Sequence, residues 1–183
     1  YISSEGTECQ ESIDPPDSQN VSLTSSCDKE EVINYLLEAH EEGKCVCWFK
    51  NTVSTARDIY RELKAFIPDD KLHLAHGRFI RSHRTENDEK FLGMVGKESK
   101  VNDREGQIII ATQVFEQSLD IDFDFLISDL APVDVLIQRF GRLCRHNRDP
   151  VTCELDKNAD DIRPYEAVIY GPEFDPDPNP SWE

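Results

Sequence analysis

The residues best suited to chemistry stand together in Gln138-Arg139-Phe140-Gly141-Arg142-Leu143-Cys144-Arg145, where an arginine recurs at every third position. At about 100° per helical residue, this spacing drifts by only about 60° per step. A helix over Val133 to Cys144 is therefore predicted to carry Arg139, Arg142 and Arg145 along one side, with Leu136, Phe140 and Leu143 as its anchoring stripe. A guanidinium is permanently charged and its planar fork matches phosphate oxygens, so such a row could stabilise charge on a transferring phosphoryl group. The same arginines could also form the solvated face of an amphipathic helix, and only their surroundings separate the two readings.

Upstream, Ala111-Thr112-Gln113 closes an isoleucine-rich run and is followed by Glu116, Asp120, Asp122 and Asp124. Thr112 and Gln113 are predicted to sit in a strand-to-helix loop, where backbone N–H groups can meet phosphate or ribose. The four acids have no histidine beside them, and Leu119, Ile121 and Phe123 alternate with the aspartates. That pattern predicts carboxylates on the solvent side of a half-exposed strand, not a metal site. Six cysteines without a C-x-x-C pair and five histidines without H-x-x-x-H give no zinc signature either. A G-x-x-x-x-G-K-[ST] phosphate cradle is missing, the nearest approach being Gly96-Lys97-Glu98-Ser99, so at most half of an ATP site is present.

Several elements must position these residues. Val32, Ile33, Leu36 and Leu37 predict a helix over about 28–42, capped by Ser26 or Asp28. Cys45 to Phe49 reads as a strand buried on both faces, and Asn51-Thr52 caps a helix bearing Ala56, Ile59, Tyr60, Leu63 and Phe66. Leu72 to Ala75, Ile108 to Ala111, Phe125 to Ser128 and Ala167 to Tyr170 are further strands, and Ser82 to Leu92 a less regular helix. Repeated βα units of this length specify an α/β fold, a parallel sheet with helices on both faces and a binding edge at the carboxyl ends of the strands. Residues 1–25 read as an acidic linker, 26–171 as the folded domain and 172–183 as a Pro/Asp-rich tail.

Charge limits the partners. With 37 acidic and 20 basic residues, the formal charge of −17 argues against a uniformly basic nucleic-acid surface. The excess sits at the ends, because residues 43–149 hold seventeen acids and seventeen bases. Within that neutral core, residues 71–104 carry a net +3 and Gln138 to Arg148 contain four arginines and no acid. No run approaches the roughly 20 apolar residues of a membrane helix, and the start lacks a signal-peptide pattern, so a soluble, cytoplasmic protein without a membrane partner is expected. The start at Tyr1, in a polar stretch, with Met94 as the only methionine, suggests an excerpt of a longer protein.

The order of motifs resembles the second RecA-like lobe of superfamily 2 helicases. It runs from a strand through Asn51-Thr52 to a helix, then His76-Gly77 with basic residues, Ala111-Thr112-Gln113-Val114…Ser118-Leu119-Asp120, and Gln138-Arg139-x-Gly141-Arg142-x-x-Arg145. Glu116 to Asp124 followed by Gln138 to His146 is most similar to the CRISPR-associated helicase-nuclease of type I systems. The resemblance covers roughly residues 28–172 and implies a RecA-like fold acting with a first RecA-like lobe. It implies that Arg142 and Arg145 are arginine fingers, that Gln138 and Arg139 lie on the ATP side, and that Asp120 hydrogen-bonds the ribose. ATP and Mg²⁺ would be held mainly by the first lobe. Asn51, Thr52, His76, Gly77, Arg84 and Thr112 would line the track of single-stranded DNA, with Arg81 standing where the family has glutamine. The CRISPR surveillance complex would be the loading partner. No His-Asp pair of the family's nuclease occurs, so the chain alone is expected neither to hydrolyse ATP nor to unwind or cut DNA. Two alternatives stand beside this reading: the C-terminal lobe of another DNA or RNA helicase, and a catalytically silent module whose acidic ends recruit partners.

Overall fold

The computed structural model describes residues 21–76, 89–113, 120–149, 154–155 and 163–172. Six strands form one parallel sheet: β1 (Ser22–Ser26), β2 (Val46–Phe49), β3 (Leu72–Ala75), β4 (Ile108–Ala111), β5 (Phe125–Asp129) and β6 (Glu166–Tyr170). Their spatial order is β1-β6-β5-β2-β4-β3, so the chain crosses over β2 between β4 and β5. Val46 pairs with Ile108 on one side and Phe125 on the other, which places β2 at the centre.

Continuous apolar strands are what a sheet buried on both faces requires. Val46 and Trp48, with Ile108, Ile110 and Ile127, face one layer, into which α1 (Lys29–Glu41) sends Val32, Ile33 and Leu36 and α2 (Val53–Leu63) sends Ala56, Ile59 and Leu63. Cys47, Phe49, Ile109 and Leu126 face the other, against Phe91 and Val95 of the helical residues 89–95 and against Leu143 and Cys144. The helix ends follow their caps. Asp28 accepts the Glu30 N–H at 2.9 Å, Thr52 accepts the Thr55 N–H at 3.1 Å, and Gly43 takes φ +78° just beyond α1. Two shorter elements complete the set, α3 (Val101–Arg104) and α4 (Val133–Phe140).

Two expectations are corrected here. Residues 22–25, assigned to the linker, belong to β1, which pairs along its length with β6. Its side chains are mostly exposed, so an edge strand held by backbone hydrogen bonds left no apolar pattern to read. The helix predicted to reach Cys144 stops at Phe140. Beyond it, Arg142 N bonds Arg139 O and Leu143 N bonds Phe140 O, both at 2.9 Å, and Cys144 turns the chain at φ +44°. Burial of Leu143 and Cys144 against Phe123 outweighs continuation of the helix. The three arginines are consequently not a row on one helical face.

Candidate functional site

At the carboxyl ends of the strands, Asp129 closes a tight polar group. Its Oδ1 accepts from Lys50 Nζ at 2.7 Å and from Trp48 Nε1 at 3.3 Å, while Oδ2 accepts the Asn51 N–H at 3.2 Å. Lys50 also lies over the rings of Trp48 and Tyr170, at 4.5 and 5.0 Å. Asn51 donates through Nδ2 to Leu130 O at 2.8 Å and accepts at Oδ1 from Arg139 at 3.2 Å. Arg139 is fully buried, donating to Ser128 Oγ at 2.9 Å and Asp129 O at 3.2 Å and lying over the Phe49 ring. Its guanidinium is covered and turned to the carboxyl edge, where it joins Asn51 to the end of β5.

Asn51, Thr52, His76 and Thr112 gather at this same edge. Asn51 and Thr52 are exposed and His76 half-buried. Thr112 is only 4% exposed, and its N–H bonds Ala75 O at 3.0 Å, so its backbone joins the ends of β3 and β4. Gly77 and Arg84 lie outside the described residues.

The opposite, amino-terminal edge carries the other set. The backbone of Phe123, two residues before β5, donates to Arg142 O at 2.9 Å and accepts from Cys144 N at 2.8 Å. Arg142 is half-buried, Arg145 exposed, and Gln138 exposed on α4. Arg145 Nε sits 3.0 Å from Asp120 Oδ1, and His146 Nε2 is 3.2 Å from the same oxygen. Burial holds the His146 imidazole below its ordinary pKa despite Asp120 and Asp122. Lys97, Arg145, His146, Asn147 and Leu155 line a cleft of about 270 Å³. Nitrogen donors around such a cleft fit phosphate oxygens. Among the described residues, no three His, Cys, Asp or Glu side chains are grouped to hold a metal ion, and no helix is long and apolar enough to cross a membrane.

Behind this edge lies a charged cluster that the sequence pattern missed. Asp122, predicted to face solvent, is completely buried. Arg148 Nε donates to its Oδ2 at 2.7 Å and Arg163 Nη1 at 3.2 Å, and Arg104 Nη1 donates to its carbonyl at 2.9 Å. Asp124 accepts from Arg104 Nη2 at 2.8 Å, Arg163 Nη1 at 2.7 Å and the Cys45 N–H at 2.9 Å. Burial pushes the Cys45 thiol up to about 12, so it stays protonated and packs as an apolar group. Alternation gave Asp122 the same parity as Asp120 and could not distinguish them. No local signal separates them, because Arg104, Arg148 and Arg163, which compensate the buried charge, come from other segments of the chain.

Comparison with known proteins places this geometry. Residues 42–148 match the family model of the CRISPR-associated nuclease/helicase Cas3, C-terminal. The Streptococcus thermophilus CRISPR-associated nuclease/helicase Cas3 is 42% identical over 118 residues, 64% of this chain and 12% of that relative. The chain thus spans about an eighth of the length of this relative. The crystal structure of T. fusca Cas3-ADP superposes with a TM-score of 0.70 at 29% identity, covering 90% of this chain and 20% of that one. A CRISPR RNA-guided surveillance complex, pre-nicking, contains a chain that matches with a TM-score of 0.64 at 28% identity, over 86% of this chain and 19% of that one. The six-stranded parallel sheet and the family match over residues 42–148 agree, and the chain belongs to the family of C-terminal domains of the CRISPR nuclease/helicase Cas3.

Proposed function

We propose that this chain is the second RecA-like lobe of an ATP-dependent helicase-translocase that moves along single-stranded DNA in a type I CRISPR system in the cytoplasm, where the invading strand is degraded. The observation that carries this reading is the division of the motif residues between opposite edges of one sheet, with Arg142 and Arg145 at the amino edge and Asn51, Thr52, His76 and Thr112 at the carboxyl edge. A lobe built in this way can grip a strand with one edge and meet a nucleotide with the other.

ATP, held with Mg²⁺ mainly by the first lobe, supplies a γ-phosphoryl group whose transfer to water spreads negative charge over its oxygens. Arg142 and Arg145 neutralise that charge, and exposed Gln138 orients the attacking water. Asp120 accepts from the ribose hydroxyls once Arg145 leaves it. Their ion pair is half-exposed on both sides, so water screens it and exchange is cheap. Thr52 and His76, with Gly77 and Arg84, hold the strand backbone, while Asn51 and Thr112 fix the loops that present them. Alternate closing and opening of the two lobes converts hydrolysis into movement. The likeness to a chain in a surveillance complex supports such a complex as the loading partner.

The test is to measure single-stranded DNA affinity and ATP turnover together in the two-lobe protein. Thr52→Ala with His76→Ala should lose affinity yet keep turnover at saturating DNA, whereas Arg142→Ala should keep affinity and lose turnover. Joint loss of both properties in each variant would contradict a division between edges.

A further inference from the structure

Asp122 is fully buried among three guanidiniums, those of Arg104, Arg148 and Arg163. Its oxygens are used unequally. Oδ2 takes Arg148 Nε at 2.7 Å and Arg163 Nη1 at 3.2 Å, whereas Oδ1 accepts the backbone N–H of Arg145 at 2.7 Å. Charge compensation accounts for the first set and not for the second. A short charge-assisted bond to a main-chain amide fixes the backbone from which the Arg145 side chain springs.

The remaining contacts make that anchor rigid. Asp122 N donates to Val95 O at 2.9 Å, and its carbonyl accepts from Arg104. Arg148, three residues beyond Arg145, donates to Ser99 O at 2.9 Å and Gly96 O at 3.0 Å. With the two Phe123 bonds to Arg142 and Cys144, the segment bearing both fingers is tied to residues 122–123 at three successive points.

We propose that Asp122 is a positioning residue for Arg145, acting through the Arg145 main-chain amide to hold that guanidinium where the transferring phosphoryl group is met. This rests on the reading of Arg145 as an arginine finger. Misplacement of a catalytic group by about 1 Å costs on the order of 10²-fold in rate, and Asp122→Asn should have an effect of that size. The charged Arg148 donor, at 2.7 Å, takes the single amide oxygen, which sets the NH₂ against the Arg145 N–H and breaks the main-chain anchor.

The experiment is steady-state ATP turnover of the two-lobe protein with saturating single-stranded DNA. Asp122→Asn leaves a buried arginine uncompensated, so it is paired with Arg163→Gln, which keeps the net charge of the cluster unchanged. Arg163→Gln alone is the reference. The double variant should lose about 10²-fold in kcat, with the KM for ATP and the DNA affinity within about threefold, and should show no further loss on top of Arg145→Ala. With Arg145→Ala itself impaired, either full turnover in the charge-balanced variant or a loss that multiplies that of Arg145→Ala overturns the role of Asp122. Full turnover in Arg145→Ala alone overturns the finger reading, and the Asp122 proposal with it.

Discussion

Arg139 on α4 donates to Asn51 Oδ1 at 3.2 Å, joining residues 88 positions apart and tying the helix that leads to the turn bearing Arg142 and Arg145 to the loop between β2 and α2. Ser128, Asp129 and Asn51 all accept from that guanidinium, which offsets part of the cost of burying it. Arg139→Ala should therefore cost about 3 kcal/mol, from a cavity and unsatisfied acceptors. Half-buried Arg142→Ala should cost less than about 1 kcal/mol. Urea unfolding of the chain measures both, and equal costs would contradict the structural role of Arg139.

Cys144 provides a second test, of the turn itself. Its φ of +44° lies in the left-handed region, which costs an L-residue about 1–2 kcal/mol. Cys144→Gly relieves that cost but forfeits a buried side chain, so a change within about 1 kcal/mol is expected. Cys144→Val puts a β-branched side chain at a positive φ and should destabilise by about 2 kcal/mol or more. Similar thermal midpoints for the two variants would show that the turn carries no such constraint.

The charged cluster predicts a pH dependence of definite sign. Burial alone would raise the carboxyl pKa of Asp124, but the guanidiniums of Arg104 and Arg163 and the Cys45 N–H hold it below the ordinary value. A depressed folded pKa gives stability that is fully present above the unfolded value of about 4 and is lost as pH falls through the lower folded value. The acid limb of the stability curve below about pH 4 should flatten in Asp124→Asn. An unchanged slope in that variant would remove Asp124 from the account of acid unfolding.

How far the sequence could be read depended on the range of the interactions. Ile108 to Ala111 and Val46 to Phe49 were legible because a strand buried on both faces needs unbroken apolar residues, and Asp28 and Thr52 because caps are local. The edge strand Ser22–Ser26 was not, since its order comes from pairing with Glu166–Tyr170, far along the chain. The arginines show the same limit. Gln138 to Arg145 was recognisable as a motif, yet its helix stops where Leu143 and Cys144 meet Phe123, a contact that periodicity does not encode. Asp122 was invisible for the same reason, because its partners Arg104, Arg148 and Arg163 come from three separate segments.

The central claim is that the amino edge delivers Arg145 to a transferring phosphoryl group. It is tested most directly by ATP turnover of Arg145→Ala in the two-lobe protein at saturating single-stranded DNA, alongside its affinity for a non-hydrolysable ATP analogue. Turnover should fall by roughly 10³-fold or more while the analogue still binds, the size of effect that loss of an arginine finger has. Turnover equal to that of the unsubstituted protein would contradict the claim.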